Sequence, residues 1–276
     1  MVQILQPLLN IFFPEIYFSY SFSGGFLLKN ALVREPGKSF SKCISSHPSH
    51  KNVSTNRAIS QHRKYVETLK DLGIDVIELP PLDSFPDSCF VEDTAVIHNG
   101  RALISNMGAE TRRGEEETIQ STLSEYLEVK KVFPPATVEG GDIIHFPGFL
   151  ISGITQRTNQ EGVHSLSHFL RIEVKTILDL NITHLKSHVT FLDQNNIIMN
   201  KRYADLPIFS GFNKIILKDS EDYASNTLTY NGTVIIPKYF PSVTELLEEL
   251  DYNVVSLEMS EFERCEGALT CLSLLF

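Results

Sequence analysis

Four side chains carry most of the chemistry open to this chain: Cys271 in EGALTCLSLLF, His184 in ITHLKSHVTFL, Glu139 in VEGGD and Asp93 in FPDSCFVEDTAV. A thiol, an imidazole and a carboxylate are the parts of a nucleophilic relay, in which thiolate attacks, imidazole moves the proton and acid orients it. Singly they mean little. A lone buried cysteine is usually a small hydrophobe, and the chain has nine histidines. Their positions raise them. Each stands just before, or at the start of, a strand that opens a β-hairpin. Glu92 shares that place with Asp93, and Asn226 takes it in a further segment. His188 ranks below His184 because it reads as already inside its strand. Further acids, Asp87 and Glu92, would be misplaced around an anion. They suit a planar cation such as guanidinium, which carboxylates grip through paired charge-assisted hydrogen bonds. Gly140 and Gly141 would let the backbone turn tightly and a ligand come close.

The elements that must position these groups repeat. TAVIHNGRALIS, DIIHFPGFLISG, HVTFLDQNNIIMN and TLTYNGTVIIP each read as strand, turn, strand, with first strands near Thr94, Asp142, His188 and Thr227. Asn99-Gly100 and Asn231-Gly232 are strong hairpin signals. Helices with apolar spacing are expected near Thr55–Gly73, Arg113–Tyr126, Asn159–Arg171 and Ser242–Leu250. Buried strands such as DVIEL, VKTILDL and NVVSLEM follow three of them. Helix, strand and hairpin recurring at roughly 40–50 residues mark a radial or stacked architecture. CLSLLF ends the chain without a partner, and NALVR at Asn30–Arg34 is the strand that would complete its hairpin. The fold expected is therefore a five-bladed α/β propeller of ββαβ units, closed where the chain's ends meet. A dinucleotide-binding sheet is disfavoured, since no G-x-G-x-x-G follows a strand.

Composition sets outer bounds. The 276 residues are 42% hydrophobic, with a net charge of −10, which argues against nucleic acid or an anionic membrane as partner. Cys43, Cys89, Cys265 and Cys271 show no CxxC spacing, so neither a zinc site nor a dense disulfide framework is expected, and a reducing compartment, the cytoplasm, is. Residues 1–26 are apolar and aromatic with no Lys or Arg. They read as a loosely attached extension or a misplaced start site, with targeting or membrane association as the other reading. A single catalytic domain is expected over 27–276.

From about Leu32 to Phe276 the sequence resembles the dimethylarginine dimethylaminohydrolases, guanidine-modifying enzymes with the five-bladed pentein fold. The resemblance runs through VREPGKSF, FPDSCFVEDTAV, TRRGEEE, EGGD, RTNQEG, HLK, YASN and TCLSLLF. It implies hydrolysis of an Nω-methylated arginine to citrulline and an amine, without metal or organic cofactor. Cys271 would be nucleophile, His184 general acid and base, and Glu139 their orienting carboxylate. Asp93 would bind the guanidinium, with Asp87 and Glu92 completing the polar shell. Arg157 would bind the substrate α-carboxylate, Ile44 would be an aliphatic contact in a mobile lid that also holds Phe40, and Glu266 joins the substrate-binding set. The stretch 34–54, rich in Ser, Gly, Pro and His, reads independently as a flexible loop.

One position departs from the family pattern. Where a second carboxylate-binding arginine is expected in ITRPGA, this chain has ISNMGA, with Asn106. Hydrogen bonds to charged groups are worth ~1.5–3 kcal/mol. Either Arg112 or Arg113 compensates, or the substrate differs at that end. The alternative function is a related hydrolase acting on arginine, citrulline or another guanidino or ureido compound. A non-catalytic pentein-fold binding protein is the rival from outside enzymology. The partner expected is a small cationic guanidino amino acid, and monomer and homodimer both remain open.

Overall fold

Asn99, Gly100, Asn231 and Gly232 all take positive φ, between 46° and 76°, as two-residue hairpin turns between twisted strands require. The computed structural model describes residues 29–146 and 148–276, and the N-terminal extension read from the sequence lies outside them. In chain order the elements are β1 (Asn30–Arg34), α1 (Thr55–Asp71), β2 (Asp75–Leu79), β3 (Ala95–His98), β4 (Arg101–Ile104), α2 (Glu116–Leu123) and β5 (Glu128–Lys131). There follow β6 (Ile143–Phe146), β7 (Phe149–Ile154), α3 (Gln160–Leu170), β8 (Glu173–Leu178), β9 (Val189–Phe191), β10 (Asn196–Asn200) and β11 (Asn213–Leu217). The chain ends with β12 (Leu228–Tyr230), β13 (Thr233–Pro237), α4 (Pro241–Glu249), β14 (Asn253–Leu257), α5 (Ser260–Glu263) and β15 (Ser273–Leu275).

These strands form five three-stranded sheets, ordered β15-β1-β2, β3-β4-β5, β6-β7-β8, β9-β10-β11 and β12-β13-β14. In each, the central strand pairs antiparallel on one side and parallel on the other. The last strand does pair with the first, Leu32 opposite Leu274, so the ring closes between the two ends of the described chain. Closure matters because each sheet buries apolar side chains on both faces. Ile198 and Leu217 of one blade pack with Val234 and Ile236 of the next, and Leu32 and Leu274 pack with Ala95, Ala102 and Ile104. Burying such a side chain is worth roughly 1.5–3 kcal/mol, and an open array would expose one such face at each end.

Helix ends follow local chemistry. Ser54 caps α1 through its hydroxyl, and the Asn159 carboxamide accepts from Gly162 N and Thr137 N at 2.9 and 3.0 Å, tying α3 to the loop that follows β5. The expected helices end one to three residues from their assigned limits, and α5 is an addition. The fourth blade has no α-helix between β10 and β11, only 3-10 turns at Lys201–Tyr203 and Pro207–Phe209, in line with the short irregular piece in its sequence.

Candidate active site

Every blade enters its first strand through a 3-10 turn, which sequence periodicity did not show. These turns are Val91–Thr94, Gly140–Asp142, Leu185–Ser187, Asp219–Ser225 and Thr270–Leu272. They gather at one end of the ring and pack on one another in sequence around it. Glu92 and Asp93 lie within the first, Glu139 and His184 are the residues before the second and third, Asn226 follows the fourth, and Cys271 sits within the last. His188 ends the third turn ahead of β9, rather than lying inside that strand. A single tight turn explains the convergence: it projects one side chain inward just as the chain bends into the sheet.

The His184 imidazole Nε2 is 2.7 Å from Glu139 Oε2 and 3.5 Å from Asp93 Oδ1. Burial works against charge on this ring, but the Asp93 carboxylate, with Glu139 and Asp142, outweighs it and lifts the His184 pKa to about 9. For Glu139, burial is opposed by the hydrogen bond and charge of His184, and by Arg112 and Arg157, so it is driven down to about 2. Its other oxygen accepts from Gly108 N at 2.8 Å. At neutral pH the pair is thus imidazolium and carboxylate, and His184 is equipped to donate a proton. The Cys271 thiol is pushed well up by burial and then by the carboxylates of Glu92 and Asp93. Asp93 therefore acts on both the thiol and the imidazole. Without a cation between them, the site holds a thiol and not a thiolate.

Linkage gives this pair a pH window. The raised His184 value contributes stability fully present below its ordinary 6.5 and lost as pH rises through about 9. The depressed Glu139 value contributes stability present above its ordinary 4.5 and lost as pH falls through about 2. The pair thus supports the site in full between those ordinary values. Glu139→Gln is expected to move the alkaline limb of kcat/KM down by about one pH unit or more, because the imidazolium loses its nearest partner. A pH–rate profile with an unmoved limb would assign that limb to another group.

Gly140 and Gly141 do sit in a tight turn, the 3-10 turn Gly140–Asp142, but their main service is clearance. Neither takes a positive φ. A Cβ on Gly140 would lie 2.0 Å from the Glu92 carbonyl oxygen, and one on Gly141 would lie 2.7 Å from both Asp93 Oδ1 and the His184 ring. They admit the neighbouring blade's backbone and the His184 imidazole, and Gly141 N donates to Asp93 at 3.1 Å. Gly141→Ala is therefore expected to lower kcat by about tenfold to a hundredfold by displacing the ring. Wild-type kinetics in that variant would show that the imidazole's position is not limiting.

Other candidates are placed as follows. Glu92 is buried, 2.6 Å from Lys186 Nζ and 2.8 Å from Thr270 Oγ1. Glu92, Lys186 and Thr270 also line a cavity of about 510 Å3 running between the strands, which none of Cys271, His184, Glu139 and Asp93 lines. Its carboxylate thus builds the floor between that cavity and the site. Asp87 accepts from the Ile44 backbone N–H at 3.1 Å, and burial raises its pKa against the pull of Arg112. Arg157 acts electrostatically on both Asp87 and Glu139, and its Nε is buried without a partner. Ile44 is 42% exposed, and Glu266, also exposed, accepts from Ser46. Asn226 joins blades, accepting from Thr270 N at 3.0 Å and donating to Lys186 O at 3.1 Å.

Asn106 is a clearer departure from a binding role. Its amide donates to Ala136 O at 2.6 Å and is committed to the loop entering the next blade. Arg112 cannot supply the missing charge, because its buried guanidinium binds Asp93 at 2.7 Å and Glu115 at 2.8 Å. That network was not legible in the sequence. Arg113 stays half-exposed, donating to Met107 O at 3.1 Å beside Asn106. A disulfide joins Cys43 and Cys265, a single bridge and not a dense framework, where no pairing was read from the sequence. Its halves are 222 residues apart, a separation at which spacing carries no signal. Cys89 and Cys271 are free and buried.

Residues 37–180 match the family model described as N,N dimethylarginine dimethylhydrolase, eukaryotic. An N(G),N(G)-dimethylarginine dimethylaminohydrolase of Pseudomonas aeruginosa is 32% identical over 91% of this chain and 100% of its own. This chain belongs to the dimethylarginine dimethylaminohydrolase family. A second family member, from Streptomyces coelicolor, is 32% identical over 89% of this chain and 96% of its own. An uncharacterised protein of Aeropyrum pernix reaches 38% over 91% of this chain and 96% of its own. The solved Pseudomonas dimethylarginine dimethylaminohydrolase, as a cysteine-to-serine mutant complexed with citrulline, superposes with a TM-score of 0.88 at 32% identity over 91% of this chain and 100% of its own. The five-bladed fold is also that of the N-terminal domain of a cyanobacterial arginine dihydrolase, at a TM-score of 0.81 and 22% identity over 89% of this chain and 97% of that domain.

Proposed function

We propose that this enzyme hydrolyses the Cζ–N bond of Nω-methyl- or Nω,Nω-dimethyl-L-arginine, giving L-citrulline and methylamine or dimethylamine. The observation that carries the reading is the imidazolium clamped between Glu139 and Asp93 at the ring end where Cys271 emerges. Asp93 and Glu139 would hold the guanidinium in plane. The cation's own charge lowers the Cys271 pKa, and the thiol gives its proton to solvent. The thiolate adds to Cζ, forming a C–S bond. His184 protonates the substituted nitrogen, the C–N bond breaks, and a thiouronium remains on Cys271. Neutral His184 then takes a proton from water, the resulting hydroxide adds to Cζ, and the C–S bond breaks to release the ureido product. The proton count balances, and these steps use only groups of this chain and water.

The α-carboxylate falls to Arg157, whose buried Nε has no protein partner. Because Asn106 is occupied by Ala136 O, the second reading, hydrolysis of arginine, citrulline or another guanidino or ureido compound, keeps a specific support. A panel of methylarginines, arginine, agmatine and citrulline, assayed for amine, ammonia and ornithine, separates the two. Methylarginines are expected to show the highest kcat/KM, and Asn106→Arg to raise it by about tenfold. Equal or better turnover of arginine with ammonia release would favour the second reading. No described helix is long and apolar enough to cross a membrane. Cytoplasmic location is part of the proposal, and it requires that the Cys43–Cys265 bond, each half 3% exposed, survive there by being shielded from soluble thiols.

A further inference from the structure

The Cys43–Cys265 bond joins two segments that both reach the candidate site. Cys43 precedes Ile44, whose backbone N–H donates to Asp87 at 3.1 Å. Cys265 precedes Glu266 and lies on the same short connection as Cys271, between α5 and β15. The two segments are also tied without the bond. Ser45 Oγ donates to Arg264 O at 2.8 Å, Ser46 Oγ to Glu266 at 2.6 Å, and Ser54 N to Glu261 at 2.7 Å. Beneath them the Phe40 ring packs edge-on against Phe90 and Phe262, centroids 6.1 and 5.5 Å apart. The polar ties are three hydrogen bonds, one exposed and two partly buried, each worth only about 0.5–3 kcal/mol. The composition of 34–54 would otherwise make a mobile loop.

We propose that Cys43 and Cys265 are positioning residues that covalently fix the loop 34–54 over the site, in register with the connection bearing Cys271. The bond does not touch substrate. It holds the Ile44 N–H on Asp87 and the loop's underside on Phe90, so substrate meets an ordered loop and does not bear the entropy of ordering it. Cross-linking residues so far apart also removes much freedom from the unfolded chain. The bond is buried within an apolar cluster with Phe40, Phe90 and Phe262, and so is a permanent fastening, not a switch. The kinetic part rests on the function proposed above; the structural part does not.

The test compares the full-length wild type with Cys43→Ser/Cys265→Ser. Thiol titration under denaturing, non-reducing conditions should count two free thiols in the wild type, Cys89 and Cys271. Limited trypsin digestion should cut at the exposed Lys42 and Lys51 at least tenfold faster in the double variant while the rest of the chain resists. On the best substrate of the panel, KM should rise about tenfold with kcat within about threefold. Four free thiols in the wild type, with or without a zinc ion held by Cys43, His50 and Cys265, would overturn the proposal. So would unchanged trypsin kinetics in the variant, or an unchanged KM. If no guanidino compound is turned over, the proposed function fails, and the thiol and trypsin measurements still decide the fastening.

Discussion

Cys271→Ser is expected to lower kcat by on the order of 10^4-fold or more while leaving the fold intact. Serine keeps the volume and hydrogen-bonding capacity of the site, but its hydroxyl does not ionise under the influence of a bound cation as a thiol does. The surroundings make this dependence severe. Cys271 is buried, and Glu92 and Asp93 both push its pKa up, so the thiolate is formed only with substrate in place. The variant should therefore still bind substrate, with an unfolding midpoint near that of the wild type and a dissociation constant close to the wild-type KM. Amine release by Cys271→Ser at more than about one hundredth of the wild-type rate would remove the covalent step from the mechanism. Cys89, the other free cysteine, packs in an apolar cluster, and Cys89→Ser should leave kcat within about threefold.

His184→Gly should divide the reaction into its two halves. Loss of a general acid and base costs about 10^2–10^4-fold, and in the proposed mechanism one imidazole serves both the departure of the amine and the activation of water. A substrate whose leaving group needs no proton, such as an S-alkylthiocitrulline, should still alkylate Cys271 in this variant. The adduct should then persist, since nothing remains to deprotonate water. Intact-protein mass spectrometry would show one added thiouronium-linked amino acid per chain, stable for hours, where the wild type shows turnover. Rapid turnover without accumulation would sink the assignment of His184 as the base. The substitution also leaves Glu139 without its closest cation, although Gly108 N continues to donate to it. The apparent stability should therefore fall most between the ordinary values of 4.5 and 6.5, where the wild-type pair contributes in full, and progressively less as pH rises through about 9.

The five-blade plan could be read from the sequence because its signals are local. Asn-Gly turns need positive φ, apolar alternation needs a sheet face, and a helix needs its cap; each is settled within ten residues. Even ring closure could be foreseen, since CLSLLF lacks a neighbouring partner and NALVR is free to supply one. Cys271, His184, Glu139 and Asp93 stand out by their equivalent place in the repeat. Side-chain geometry beyond each unit carries no such signal. Gly140 and Gly141 read as a turn and do form one, but their second role, as clearances for the Glu92 carbonyl and the His184 ring, carries no sequence signal. Glu92 reads as a substrate contact and is bound to Lys186 and Thr270.

Strand, turn and helix order, and the residue types that can attack and protonate a guanidinium, were thus written in the chain itself. Which of those groups are already engaged emerged from the packed ring alone. Arg112 is consumed by Asp93 and Glu115, Asn106 by Ala136 O, and Cys43 by Cys265. Local structure depends on backbone preferences within a few residues. Hydrogen-bond and charge partners depend on distances set by packing five blades into a ring, which brings together side chains as distant in sequence as Cys43 and Cys265, 222 residues apart.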